Sequence, residues 1–422
     1  MSTVDLSARA GTRPRLLVLS SLFPSDVQPM AGLFIRERMF RVAGHAHVVV
    51  VAPQAWFPGQ GLIRLFRPHF RPMAKMVERM QGVEVYRPRF LSVPLLFKRL
   101  DGLSMAVASY LTARRLVRTQ GLNLLDAHFG YPDGYAATLL GRWLGLPVLV
   151  TLRGKEERQL RLPVADRLRE AICRADRLIA VSDALKRVAE QNGVAADRIT
   201  VIGNGIDLDK FIPMPQREAR SLLGLPSDAK VLVSVGTLVE RKGFHRVFET
   251  LPALLNRHAN LHYLVVGGPG PEGDISERLR NQAAALGVAE RVHFLGRYPP
   301  AELRLPLSAG DVFVLATGYE GWANVFLEAM ACGLPVVTTD VGGNSQVVKA
   351  PWLGTLVPFG DRSALTNALD DALSREWDRP AIRAHAAENA WDARIPLLLE
   401  VFTRTLEDQT RQRAGELSGA TR

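Results

Sequence analysis

Short apolar runs bounded by turn residues alternate along this chain with longer stretches of helical spacing. "RLLVLSS" (15–21), "AHVVVVAP" (46–53), "GVEVYRP" (82–88), "LLDAHF" (124–129), "PVLVTLRG" (147–154) and "RLIAVSD" (177–183) predict strands, with helices over 105–119, 134–145 and 163–174. After "ITVIGNGIDLDKFIPMP" the series restarts: "KVLVSVG" (230–236), "LHYLVVGGPG" (261–270), "RVHFLG" (291–296), "DVFVLAT" (311–317), "PVVTTD" (335–340) and "TLVPFG" (355–360). Strands that are apolar throughout, rather than alternating, belong to parallel sheets covered on both faces. The pattern therefore predicts an α/β fold of two doubly wound, Rossmann-like domains, 1–210 and 211–394. Gly203, Gly205, Pro213 and Pro215 break both periods near their junction. A length of 422 residues also exceeds one ordinary core and suits two. A cleft between the halves is the expected site.

Composition narrows the class. Hydrophobic residues at 47% with 23% charged describe a soluble globular protein rather than a disordered one. Cys173 and Cys332 stand far apart without a Cys/His cluster, so neither a disulfide framework nor a zinc site is expected, and a reducing cytoplasm fits. The N-terminal Arg9, Arg13 and Arg15 precede the run "LLVLSSLF", which is too short for a signal peptide core and meets Pro24; it reads as a buried strand. No stretch reaches the roughly 20 apolar residues needed to span a bilayer.

The formal charge of +11 is uneven. Residues 1–200 carry 30 Lys and Arg against 16 Asp and Glu, whereas residues 201–422 carry 23 against 26. The richest stretch, 51–100, holds nine basic and two acidic groups mixed with Phe, Leu and Met, among them Arg64, Arg67, Arg71 and Lys75. Such mixing suits an anionic membrane surface as a partner, or equally a solvated basic loop. Nucleic acid is not expected, since no recognition module accompanies the charge.

Ligands of open α/β sheets bind beyond the carboxyl ends of the strands. In the second half "VGTLVERKGF" places Arg241 and Lys242 after a strand, where either can hold a phosphate. "VVGGPGPEGD" gives a glycine-rich turn with Gly267 and Gly268, short of a dinucleotide fingerprint. "GRYPPAEL" places Arg297 where it can border a base. "GYEGWANVFLEAMACG" sets Glu320 in a loop and Glu328 inside a helix, with the N–H groups of Trp322, Ala323, Asn324 and Val325 at a terminus that favours an anion. The two carboxylates would read a polyol at each end of a bound phosphate. Alternatively, Glu328 serves the helix dipole and Glu320 a solvated turn.

These residues carry a resemblance. "EGWANVFLEAMACGLPVVTTDVGGNSQVV" is similar to the Glu-x7-Glu block, Pro-Val-Val strand and Gly-Gly turn of family-4 retaining glycosyltransferases of the GT-B fold. "VIGNGIDLDKF", "VSDALK" and "VGTLVERKG" resemble that family's interdomain segment, preceding strand end and donor-phosphate loop. "GLFIRERMF" and "DAHFGYPDGYAA" look like its exopolysaccharide and teichuronic-acid-type members. The resemblance implies that Glu328 bonds the ribose, Glu320 faces the transferred sugar, Lys242 binds the diphosphate and Gly32 belongs to a loop closing on it. His128 would be the active-site histidine, and a helix over 395–415 would pack back on an acceptor-binding first domain. The sequence departs from the family's pattern where Thr237, not arginine, follows Gly236, and where Arg153 replaces the histidine of a His-Gly pair; Arg241 or Arg153 would then assist with phosphate.

The implied reaction moves a sugar from a UDP- or GDP-linked donor to a hydroxyl of a glycan or lipid-linked acceptor, with retention. It would serve cell-surface polysaccharide or glycolipid synthesis. No cofactor and no metal are expected, because a cationic loop and a helix terminus can stabilise the leaving diphosphate. A sugar-nucleotide 2-epimerase and a non-catalytic scaffold of a polysaccharide assembly complex stand as alternatives.

Overall fold

The computed structural model describes residues 13–66, 70–270 and 272–419; Arg9 and Arg67 lie outside the described residues. The chain divides into two compact units, one of residues up to Gly203 together with Arg394 onward, the other Asn204–Ala393. The division falls seven residues ahead of the boundary expected at 210.

The first unit holds β1 (Arg15–Leu19), β2 (His47–Val51), β3 (Gln54–Trp56), β4 (Val77–Met80), β5 (Val83–Tyr86), β6 (Arg89–Leu91), β7 (Leu124–His128), β8 (Val148–Leu152), β9 (Arg177–Ala180) and β10 (Ile199–Val201). Eight of them form one sheet in the order β10-β9-β8-β7-β1-β2-β5-β4, while β3 and β6 pair separately. Every neighbour in the large sheet is parallel except β4, which runs antiparallel on β5. The second unit holds β11 (Lys230–Val235), β12 (Leu261–Val266), β13 (Val292–Gly296), β14 (Val312–Leu315), β15 (Val336–Thr339) and β16 (Gly354–Val357), all parallel, in the order β13-β12-β11-β14-β15-β16.

The apolar strands behave as their composition requires. All five residues of β7 and of β8 are buried, as are all six of β12, because helices cover both faces. Among its parallel strands each sheet reverses its order once, between β7 and β1 and between β11 and β14, and the loops after those strands are where open α/β sheets hold ligands.

Within the basic stretch, Arg64 and Arg71 are half-buried and bond to the chain's own backbone, while Lys75 is exposed. Arg64 donates to the carbonyls of Phe70 (3.2 Å) and Arg71 (2.6 Å), and Arg71 donates to the carbonyl of Ser92 (2.6 Å). The two guanidiniums thus tie the helix Gln60–Phe66 to the strand end at Ser92. No helix among the described residues is long and apolar enough to cross a membrane.

Candidate functional site

At the strand-order reversal of the second sheet, the loop after β11 meets the loop after β14. Gly236 and Thr237 leave β11, and a short 3-10 turn, Glu240–Lys242, then carries both cations. Lys242 Nζ donates to Glu320 Oε1 at 2.6 Å, and Arg241 reaches the same oxygen at 3.3 Å. Thr317 Oγ1, at the end of β14, supplies a third donor at 3.2 Å. Arg241 also pairs with Glu272 (3.1 Å) and donates to the carbonyl of Tyr319 (2.9 Å). Two cations and two carboxylates therefore balance in this loop cluster, its inner pair Lys242 and Glu320 largely buried and its outer pair Arg241 and Glu272 open to solvent in part.

Neighbouring strand ends close the same rim. A Cβ placed on Gly236 would lie 3.5 Å from the Lys242 stem, so the lysine chain runs over that glycine. Arg297, after β13, lies over Gly268, after β12, and its guanidinium donates to the Pro269 carbonyl. Thr237 packs against Gly270. After β15, Gly343 donates its N–H to the Glu320 carbonyl at 3.0 Å. Gly342 adopts a φ of 57°, and any Cβ there would sit 1.9 Å from that same carbonyl oxygen. Only glycine permits this turn to press on the Glu320 backbone.

The helix Asn324–Ala331 begins four residues beyond Glu320. Its terminus is less open than four vacant donors: the Asn324 N–H donates to the Trp322 carbonyl at 3.2 Å, and the Asn324 side chain accepts from Asn204 at 3.0 Å. The N–H groups of Trp322, Ala323 and Val325 have no acceptor among the described residues. The indole Nε1 of Trp322 is likewise buried without a partner among them. Glu328 is half-buried one turn into the helix; desolvation pushes its carboxyl up to about 7, against the pull of Lys242 and then Lys210.

In the first unit, His128 ends β7 wholly buried. Its Nδ1 accepts from Arg153 at 3.1 and 3.0 Å. Desolvation, then Arg153 and Arg38, hold the imidazole well below its ordinary range, so the ring is neutral. With Nδ1 accepting, the proton resides on Nε2, which faces Asp126 Oδ2 at 3.7 Å, beyond hydrogen-bond reach. Burial raises Asp126 to about 7, against Arg38 and Arg153. Arg153 also stacks over the Phe34 ring at 5.0 Å. Gly32 caps the helix Leu33–Val42 with a φ of 67°, and a Cβ there would meet the Leu22 carbonyl oxygen at 2.3 Å. Asp133, buried in the loop after β7, accepts from the Ser21 N–H and, at 3.1 Å, from its hydroxyl, joining the two loops at this sheet's reversal.

The second unit thus brings together Gly236, Arg241, Lys242 and Glu320, with Trp322 and Ala323 leading into the helix that carries Asn324, Val325 and Glu328. The first unit brings together His128 and Arg153. Sequence reasoning missed Thr317, Glu272 and the role of Gly342 in one unit, and Asp126 and Asp133 in the other. The acids inside "LLDAHF" and "GYPDG" were the available signals, since a buried strand or loop rarely spends an unpaired carboxylate.

Two family models match the chain: Glycosyltransferase Family 4 over residues 38–210 and Glycosyl transferases group 1 over residues 215–391. The D-inositol 3-phosphate glycosyltransferase of Corynebacterium urealyticum is 33% identical over 308 residues, 68% of this chain and 72% of that protein. The protein of the same name from Gordonia bronchialis is 32% identical over 249 residues, and there the chain spans only 54% of the relative's length. These are names of inositol-phosphate enzymes rather than of exopolysaccharide or teichuronic-acid ones. Among solved structures, sucrose-phosphate synthase from Thermosynechococcus elongatus has a TM-score of 0.68 at 22% identity, covering 96% of this chain and 100% of that one. Anabaena HepE, solved in complex with UDP-glucose, has a TM-score of 0.62 at 21% identity, covering 96% and 99%.

Proposed function

Because the chain belongs to the group 1 and family 4 glycosyltransferases, with the GT-B fold and sugar transfer as its activity, we propose that its second unit binds a nucleotide diphosphate sugar. The observation that carries this reading is the junction of the cationic turn and the Glu320 loop at the sheet's strand-order reversal, through Lys242 and Arg241. Lys242 and Arg241 take the diphosphate, Glu320 faces the sugar, and Glu328 accepts from the ribose hydroxyls. Gly268, Arg297, Thr237 and the terminus at Trp322, Ala323, Asn324 and Val325 border the nucleotide.

The acceptor oxygen attacks the anomeric carbon on the face from which the diphosphate departs. The carbon–oxygen bond to phosphate breaks, and the acceptor proton passes to the leaving phosphate oxygen, so configuration is retained. The leaving charge is met by the two cations and the helix terminus, a preorganised electrostatic site that needs no divalent ion. His128, held as a neutral donor, and Arg153 and Gly32 belong to the part of the reaction that the first unit serves. The acceptor is a glycan or lipid-linked hydroxyl handled at an anionic membrane surface inside the cell; the relatives' names add inositol 3-phosphate to the acceptors worth testing.

Titration calorimetry with UDP, GDP and ADP tests the donor site. One of the three should bind, and K242M should weaken it by about tenfold or more, the worth of one charge-assisted contact to phosphate. Absence of binding to all three would overturn the reading. Transfer assays with the winning donor, in EDTA, then compare inositol 3-phosphate with lipid-linked glycans; release of an altered sugar nucleotide without acceptor would identify epimerase chemistry instead.

A further inference from the structure

The helix Asp101–Gln120 buries Met105, Ala106, Ser109, Ala113 and Leu116 on one side. On the opposite side Leu103, Val107, Leu111, Arg114 and Arg118 are all exposed. At 3.6 residues per turn these five fall within about 80° of one another, so the outer stripe is apolar for two turns and cationic thereafter. A solvated helix face carries the reverse preference.

The turn leading into this helix is odder still. Leu95 is 93% exposed and Phe97 71%, with Leu96 between them also exposed. Leu95 and Phe97 adopt φ values of 64° and 53°, a conformation that glycine and asparagine take readily and bulky residues do not. Two large apolar side chains are thus held outward on an unfavourable backbone, in water that penalises both. The charge around them is one-sided. From Arg87 to Arg118 the sequence holds seven Lys or Arg and a single acid, Asp101; Lys98 pairs with that acid at 3.0 Å, the buried Arg87 with Glu78 at 2.7 Å and Arg99 with Asp166, which leaves Arg89, Arg114, Arg115 and Arg118 in excess.

We infer that this turn and the outer stripe of the helix Asp101–Gln120 form the surface on which the protein docks to an anionic lipid bilayer, Leu95, Leu96 and Phe97 entering the headgroup boundary. The inference deepens the reading above that the acceptor is handled at a membrane, and it centres the contact on the turn rather than on Arg64 and Arg71, whose guanidiniums donate to backbone carbonyls. A bilayer supplies both things the surface lacks, an apolar phase for the turn and negative charge for Arg89, Arg114 and Arg118. A second copy of the chain would set the same cationic face against itself. Leu62, Leu65 and Phe66, exposed on the helix Gln60–Phe66, extend the surface through the Arg64–Arg71–Ser92 hydrogen bonds.

The full chain is mixed with extruded vesicles of phosphatidylcholine alone or with phosphatidylglycerol, and sedimented at low and high salt. It should pellet with the anionic vesicles and be released by salt. L95G/F97G and R114S/R118S should each lower vesicle affinity by about tenfold or more. Glycine suits the backbone at positions 95 and 97, so L95G/F97G should melt no lower than the parent, which separates docking from folding. UDP, GDP and ADP binding, measured in parallel, should be untouched by either variant; failure there would concern the donor site and not this surface. The inference is overturned if the parent stays in the supernatant, or if both variants pellet as the parent does. It is also overturned if the chain elutes as a dimer that L103S/L111S dissociates while vesicles bind nothing, which would make the stripe a contact between copies.

Discussion

Glu328 is half-buried in the helix Asn324–Ala331, and its carboxyl is pushed up to about 7 by desolvation, with Lys242 and Lys210 pulling the other way. The folded state therefore holds a proton that the unfolded state releases nearer its ordinary value of 4.5. The sign follows: Glu328 costs stability as pH rises from about 4.5 to 7, and costs nothing below. E328Q should accordingly unfold at higher denaturant than the parent at pH 8, by an amount on the order of 3 kcal/mol at most, with the gap closing below pH 4.5. If Glu328 accepts from the ribose, nucleotide affinity of the parent should climb between pH 6 and 8, and E328Q should show a flat profile. Glu320 raises a different matter. Its carboxylate engages Lys242 and Arg241, so a diphosphate held by those two cations would compete with it. E320Q should bind UDP or GDP about five- to thirtyfold more tightly, the worth of about 1–2 kcal/mol of released ion pairing, while turnover falls because the sugar loses its carboxylate. Tighter binding with turnover intact would show that Glu320 serves only as a counter-ion.

Elements decide where those side chains can stand. The turn after β15 supports Glu320 through the Gly343 N–H and through Gly342, whose missing Cβ leaves room for the Glu320 carbonyl. G342A must push that carbonyl aside, at a strain of about 1–3 kcal/mol, and should lower turnover more than its loss of melting temperature explains. Parallel activity and thermal unfolding measurements separate the two effects. The Gly-Gly pair in "VTTDVGGNSQ" was visible as a turn, but its approach to a loop some twenty residues earlier is a tertiary fact that no local period encodes. The buried strands were legible because their apolar runs need two covered faces, and β7, β8, β11, β12, β14 and β15 lie within the predicted runs. The short strands β3, β4, β6 and β10 were not, since each has three or four residues and polar or exposed positions. "VERM" at β4 is an antiparallel edge strand, readable as basic surface until its pairing with β5 is seen. Among candidate residues, the positions of Lys242 and Glu320 in loops beyond strands and of Glu328 inside a helix were legible from the sequence pattern. Thr317 was not, because a threonine at a strand end carries no sign of which carboxylate will turn toward it.

For the molecule as a whole, the chain's last helix assigns a cost to its own removal. Trp391–Gly419 is one helix, yet its residues from Arg394 onward cluster with the first unit, two hundred residues away in sequence. Leu398 and Phe402 are completely buried, and Ile395, Val401 and Leu406 nearly so. Arg177 of β9 donates to Asp408 at 3.1 Å, and Arg413 donates to the Gly145 carbonyl at 2.5 Å. At about 1.5–3 kcal/mol per buried apolar side chain, these five contribute on the order of 10 kcal/mol, which equals the whole net stability of a typical domain. A chain ended at residue 393 should therefore lose the first unit's unfolding transition in calorimetry. The second unit owes none of its internal packing to the removed segment and should keep its transition. If the second unit holds the donor site as proposed, the truncated chain should still bind the nucleotide that the parent binds while failing to transfer sugar. Loss of nucleotide binding together with the first transition would mean that the donor site draws on first-unit residues for its affinity, and would move Arg153 and Gly32 from the acceptor's side of the reaction to the diphosphate's.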